Sequence, residues 1–365
     1  MKVSEFYDAL LARGLSAYYG VPDSLLKELC KCISAQTAEG QHIVAANEGN
    51  ALAMAAGHYL ATGKPAVVYM QNSGLGNVVN PLLSLSDEEV YGIPSLLIIG
   101  WRGEPGVHDE PQHVKQGKLT LPLLETMGIA HAVLENVEQV QEACDYMAEH
   151  SKPYALVVRK GTFEPYGQGG SPMPKSELAR ESAIQLISEL LGEKDVVVST
   201  TGMISRELYE NRSSHEKDFL TVGSMGHASS IAVGIAQAKP ERRVYCMDGD
   251  GAFLMHMGGA AVLAAVGGKN LRHILLNNEA HDSVGAQPTI MGRLQVCELA
   301  RAMGYKHVYH TDSKEGICAV WPEFAESEGP SLLEIAVKCG SRKDLGRPKE
   351  KPVQNKLAFM NYLQS

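Results

Sequence analysis

The chain has 365 residues, 44% hydrophobic and 21% charged, without a low-complexity tract; this excludes a disordered or fibrous polypeptide and leaves room for two ordinary domains. A formal charge of −9 argues against nucleic acid as a general partner, and no apolar run is long enough to span a bilayer. Seven scattered cysteines without zinc-like pairing fit a reducing cytoplasm better than a disulfide framework.

The opening stretch MKVSEFYDALLARGLSAYYG carries charges inside its apolar pattern and is expected to form an amphipathic helix and a short strand, not a signal peptide. GVPDSLL follows, where Asp23 suits the N-cap of a helix that carries Cys30 and Cys32. Next, HIVAANEGNALAMAAG sets Glu48 alone among small apolar residues. Taken by itself, Glu48 reads as a first-turn glutamate facing solvent or the helix dipole.

From Gly49, GNALAMAAGHYLATGKPAVVYMQNSGLGN lays out a small-residue helix, a Lys-Pro turn, a Val-Tyr strand ending in Met and a polar Gly-rich loop. GHASSIAVGIAQAKPERRVYCMDGDGAFL repeats that order from Gly226, so the halves read as a diverged duplication. Between them, residues 161–177 cluster Gly, Pro and Ser as an interdomain linker would. IPSLLIIG, YALVVRK, DVVVST, RVYCMD, RHILLNN and SLLEIAV alternate with helices, which predicts an α/β fold of mostly parallel sheets covered on both faces. Ligands bind at the carboxyl ends of such strands.

At one such end, RVYCM runs into Gly249-Asp250-Gly251 and then the helix FLMHMGGAAVLAAVGG. Glycines admit a ligand close to the backbone, free N–H groups favour phosphate, and Asp250 offers a hard oxygen. One β-α-β unit later, the next strand ends in Asn277-Asn278, so both strand ends can meet at one Mg²⁺ and diphosphate site. A dinucleotide-binding GxGxxG is missing at this junction, which disfavours NAD.

GDG followed at this distance by NN resembles the thiamine diphosphate-dependent enzymes. The resemblance implies a pyrimidine-binding domain over 1–160, the linker 161–177 and a diphosphate-binding domain over 178–365, with no middle domain. It implies Mg²⁺ on Asp250, Asn278 and the carbonyl of Ala280, with Gly249, Gly251 and Ala252 near the diphosphate and Thr201 and Gly202 beside them. Met225 would sit under the cofactor and enforce its bent shape, and Gly223 would accept a hydrogen bond from its amino group. Glu48 would share a proton with a ring nitrogen of the aminopyrimidine, a role suited to a carboxyl in apolar surroundings.

GVPDSLL, MQNSGLGN, GWRGEPGVHDEPQHVKQGK, NNEAHDSVGAQPT and SRKDLGRPKEKPVQNKLAFM extend the likeness over nearly the whole chain, to the compact 2-keto acid decarboxylases of that family. These act on small anionic substrates carrying a phosphonate, with a sulfonate as the alternative; an inactive binding or partner subunit of the same fold is the alternative of another class. Asp23 and His113 are the candidates for proton handling, ahead of His108 and His281. Arg102 offers a planar fork to the substrate anion, with Lys115, Lys118, Gln71 and Asn72 nearby. Arg342, Lys343 and Arg347 of the tail are weaker candidates to close over the ligand. The family places its cofactor between subunits, which implies at least a homodimer.

Overall fold

The structure is a computed structural model that describes residues 1–167 and 176–365, so part of the expected linker lies outside the described residues. The chain forms two compact units, Met1–Ser171 and Pro172–Ser365.

In the first unit, β1 (Tyr18–Gly20), β2 (His42–Val44), β3 (Val67–Gln71), β4 (Leu96–Gly100), β5 (Ala130–Val133) and β6 (Tyr154–Val158) form one parallel sheet in the order β2-β1-β3-β4-β6-β5. The central strands are apolar throughout because helices cover both faces. Val67, Tyr69, Leu96 and Ile98 enter one core, while Val68, Met70, Leu97 and Ile99 enter the other. This is the period of two that a strand imposes on its side chains. The second core also receives Ala51, Leu52 and Ala55 from the helix Glu48–Thr62, whose small residues let it lie close to the sheet.

In the second unit, β7 (Val196–Ser199), β8 (Asp218–Leu220), β9 (Val244–Gly249) and β10 (Leu271–Asn277) precede a two-stranded ribbon of β11 (Ala280–His281) and β12 (Gln287–Pro288). β13 (His307–Thr311) and β14 (Ser331–Ala336) complete a parallel sheet in the order β13-β14-β10-β9-β7-β8. Counted from the start of each unit, the two sheets have the same strand order, as a duplication requires. Val196, Val198, Val244 and Cys246 face one core, and Val197, Tyr245 and Met247 the other.

The sequence pattern suggested one helix after GDG, but the structure has two, Asp250–Met255 and Gly258–Val266. The break falls at His256, whose φ is −133°, just ahead of the pair Gly258-Gly259 with its poor helix propensity. All seven cysteines are free. Among the described residues, no helix is long and apolar enough to cross a membrane.

Candidate active site

In the second unit, the loops after four neighbouring strands converge. The residues after β7 include Thr201 and Gly202; Gly202, at φ +99°, leads into the helix Met203–Asn211. After β8, Gly223 donates its N–H to Thr201 Oγ1 at 3.0 Å, tying TTG to GSMG. After β9, the buried Asp250, Gly251 and Ala252 open their helix. A Cβ at Gly251 would stand 2.8 Å from His281 Nδ1 and 3.2 Å from Met225 Cε, so this loop is packed beneath Met225 and His281 only because residue 251 lacks a side chain. Gly249, Met225 and Gly223 thus stand at one end of the sheet with the GDG turn.

After β10 the chain makes a tight turn in which Glu279 has φ +59°. Asn278 Oδ1 accepts a hydrogen bond from the Ala280 N–H at 3.1 Å, and Asn277 Oδ1 accepts one from Glu279. Thr289 bridges the two loops: its hydroxyl donates to Asp250 Oδ2 at 2.7 Å and its N–H to the Glu279 carbonyl at 2.8 Å. Behind the turn, Arg180 forks onto Glu207 and also reaches Asp282 at 2.8 Å, anchoring the segment between β10 and β12. Neither Thr289 nor Arg180 could be assigned from spacing, since each acts by joining segments distant in sequence.

Burial pushes the Asp250 carboxyl up to about 7, against the Thr289 hydrogen bond and the Arg180 charge. A carboxylate buried this deeply needs a cation to remain charged. With the Asn278 amide oxygen and the Ala280 carbonyl it offers the all-oxygen donor set that suits Mg²⁺, and the side-chain-free GDG turn suits a diphosphate. The residues present therefore fit both groups.

In the first unit, Glu48 begins its helix after the N-cap Asn47, but it does not face solvent: it is 5% exposed. Asn77 Nδ2 donates to Glu48 Oε2 at 2.6 Å, and a Cβ at Gly74 would stand 2.4 Å from Oε1. The carboxyl is thus clamped on one oxygen and given room at the other by a glycine. Burial raises its pKa, in opposition to the Asn77 hydrogen bond. Burial thus favours the protonated carboxyl, the form suited to a shared hydrogen bond with a ring nitrogen.

Asp23 is wholly buried after β1; its Oδ2 accepts from Leu25 N–H at 2.9 Å, whereas Oδ1 lacks a partner. Burial pushes it up to about 6, with the Leu25 hydrogen bond and the Arg102 charge acting the other way. His113, at the start of the helix Pro111–Thr126, is also buried, with Nδ1 unpartnered; burial and then the Arg102 charge lower it to about 4, so it is neutral.

Arg102 does not present an empty fork. It pairs with Asp109 through Nε at 2.7 Å and Nη2 at 2.5 Å, leaving Nη1 to donate to Ser24 at 2.8 Å. Asn72 is likewise engaged: it donates to the Arg102 carbonyl and Thr120, both at 2.8 Å, and accepts from the Arg102 N–H. Gln71 donates to Ser73 at 2.6 Å, and Lys115 and Lys118 are exposed on their helix. Ser24, Arg102, His108 and Lys160 line a pocket of about 260 Å³, which Lys115 and Lys118 do not line. In the tail, Arg342 pairs with Glu181, Glu210 and Asp344, and Lys343 is exposed.

An α/β protein whose strand-end loops suit a phosphate-bearing ligand and a hard cation is the class this arrangement defines. The model of the thiamine pyrophosphate enzyme N-terminal TPP binding domain matches residues 1–121 and that of the C-terminal TPP binding domain matches residues 199–335. The chain belongs to the thiamine pyrophosphate-dependent enzymes. Among its relatives, the phosphonopyruvate decarboxylase of Streptomyces viridochromogenes is 34% identical over 94% of this chain and 90% of its own. That of Streptomyces hygroscopicus is 33% identical over 96% of this chain and 91% of its own. The sulfopyruvate decarboxylase of Methanosarcina acetivorans is 28% identical over 90% of this chain and 89% of its own.

Proposed function

We propose that this protein is a carboxy-lyase that converts 3-phosphonopyruvate to phosphonoacetaldehyde and CO₂ with thiamine diphosphate and Mg²⁺, the first chemical step away from the keto acid in making a phosphonate. The observation that carries the substrate is the likeness to two phosphonopyruvate decarboxylases along nearly the whole chain. The sulfopyruvate decarboxylase likeness supports a sulfonate as the second reading, since both substrates pair a keto acid with a small tetrahedral anion.

When bound, thiamine diphosphate supplies an electron sink for the pair left behind as CO₂ departs. The chain's own residues do the rest. Asp250, Asn278 and Ala280 would hold Mg²⁺, and Thr289 holds the Asp250 carboxylate through a hydrogen bond to Oδ2. Burial favours a proton on Glu48, and Asn77 leaves one carboxyl oxygen open to share it. Asp23, protonated in part near neutrality, is the donor for the carbon that must gain a proton before aldehyde release. His113, neutral and with Nδ1 unpartnered, has an open nitrogen for orienting the substrate.

For the phosphonate, the pocket of Ser24, Arg102, His108 and Lys160 offers cationic and hydroxyl donors. Asp109 holds the Arg102 fork in place, so recognition through Arg102 needs either its Nη1 edge or exchange of the Asp109 pair for the substrate. The assembly we propose is at least a homodimer with the cofactor between subunits, acting in the cytoplasm.

Steady-state turnover of phosphonopyruvate, sulfopyruvate and pyruvate, each with and without thiamine diphosphate and Mg²⁺, tests this reading. Cofactor-dependent preference for phosphonopyruvate by at least about tenfold in kcat/KM is the expected result. Preference for sulfopyruvate would replace the substrate, and no turnover of any of the three would overturn the assignment.

A further inference from the structure

Away from the oxygen donors at Asp250, a second set of ligand atoms gathers where β13 and β14 meet the helix Val296–Met303. Cys297 Sγ, His310 and Glu334 each offer one atom, and all lie within 4.8 Å of one another. Glu334 Oε2 is 3.1 Å from His310 Nδ1 and 3.8 Å from Cys297 Sγ. For a tetrahedral zinc-like ion, the usual bond lengths separate nitrogen from oxygen by about 3.3 Å and sulfur from oxygen by about 3.5 Å. Both distances to Glu334 Oε2 are therefore within a few tenths of an ångström of bound ones, and Cys297 and His310 offer their atoms within 4.8 Å of each other.

The second oxygen of Glu334 is already committed. Asn277 Nδ2 donates to Oε1 at 2.8 Å, in the buried interior, which turns Oε2 toward Cys297 and His310. A hydrogen bond to the non-ligating oxygen of a carboxylate is how a supporting residue orients a metal ligand. Glu334 is buried, Cys297 half-buried and His310 exposed, so the set opens to solvent on its histidine side and leaves a position for water. The rival triad Cys246, Asp248 and His273 is buried on all three members, which gives a hydrated ion no open route from solvent.

We propose that Cys297, His310 and Glu334 form a site for a divalent cation of the zinc class, chemically distinct from the hard-oxygen magnesium donors and oriented by Asn277. Binding releases the Cys297 thiol proton to solvent as the metal–sulfur bond forms, uses the His310 tautomer with its proton on Nε2, and replaces the contact between His310 and Glu334 Oε2. A sulfur, nitrogen and carboxylate donor set with an open position selects zinc or cobalt over magnesium. Since Asn277 directly precedes Asn278, metal at this site also braces the turn that carries the magnesium donors. The proposal is independent of which keto acid the enzyme uses.

The test is titration of the full chain, kept reduced and saturated with Mg²⁺ and thiamine diphosphate, with Co²⁺ alone, read by its thiolate charge-transfer absorption. One equivalent per chain is expected to give the band. Cys297→Ser abolishes it, His310→Gln weakens Co²⁺ at least about tenfold, and Asn277→Ala weakens it about 10- to 100-fold. Cys318→Ser, at an exposed cysteine, leaves it unchanged. Absence of a band in the parent protein, or a band that survives Cys297→Ser or disappears in Cys246→Ser instead, overturns the site. Far-ultraviolet circular dichroism of each variant separates lost binding from lost fold.

Discussion

Glu48 and Asp23 are both buried carboxyls, but their surroundings suit them to the different roles proposed for them. Glu48 has one oxygen fixed by Asn77, so Glu48→Gln retains the shape and a hydrogen bond while losing the acid. It is expected to keep the parent melting temperature within a few degrees and lose at least about 100-fold in kcat; parent-like turnover would remove Glu48 from the chemistry. For Asp23 the folded pKa of about 6 lies above the ordinary carboxylate value of 3.8. The folded state therefore prefers the proton: the associated stability is complete below about pH 4 and is lost as pH rises through about 6. The cost of ionising it reaches roughly 3 kcal/mol at most. Asp23→Asn is expected to raise the melting temperature over the parent at about pH 8 and not at about pH 4, and to remove a kcat/KM limb near pH 6. Glu48, Asp250 and Asn278 could be proposed from the sequence because each lies in a local motif. Asn77, Thr289 and Asp109 were not, because a hydrogen bond between two loops leaves no local pattern; Arg102 looked free for the same reason.

Among the elements, the loop from Trp101 to Glu110 is locked to the helix Pro111–Thr126 through two glycines. A Cβ at Gly117 would fall 1.7 Å from the Gly103 carbonyl oxygen, and Trp101 Nε1 donates to the Gly117 carbonyl at 2.8 Å. Gly117→Ala is expected to cost about 1–3 kcal/mol and to raise KM more than it lowers kcat, because the pocket loop must move. By contrast, Gly57 faces open space inside the helix Glu48–Thr62, so Gly57→Ala should stabilise by about 0.5–1 kcal/mol. Thermal unfolding of the two variants checks the pair of signs. The buried strands β3, β4, β6, β9, β10 and β14 were visible as apolar runs. β5 and β13 were not, since each is a half-exposed edge strand whose polar residues break the run.

For the whole molecule, among the described residues, each six-stranded sheet lies within one unit and closes its own pair of cores. Calorimetry is expected to show an unfolding enthalpy larger than the van't Hoff value from a single transition, with two components resolved by deconvolution; a strict two-state trace would refute independent units. The duplication was readable from the order of helix, turn, strand and loop, yet only the sheet order makes it a statement about topology. In both units the functional loops leave the same four strands, counted from each unit's beginning: Glu48 follows the second strand as Gly223 does, and Asn77 and Gly251 follow the third. That correspondence has a genetic consequence. A stop codon and a new start placed between the units would leave every strand with its neighbours, so two separate messages can encode the same pair of sheets, and each gene could then mutate, be dosed or be inherited apart from the other.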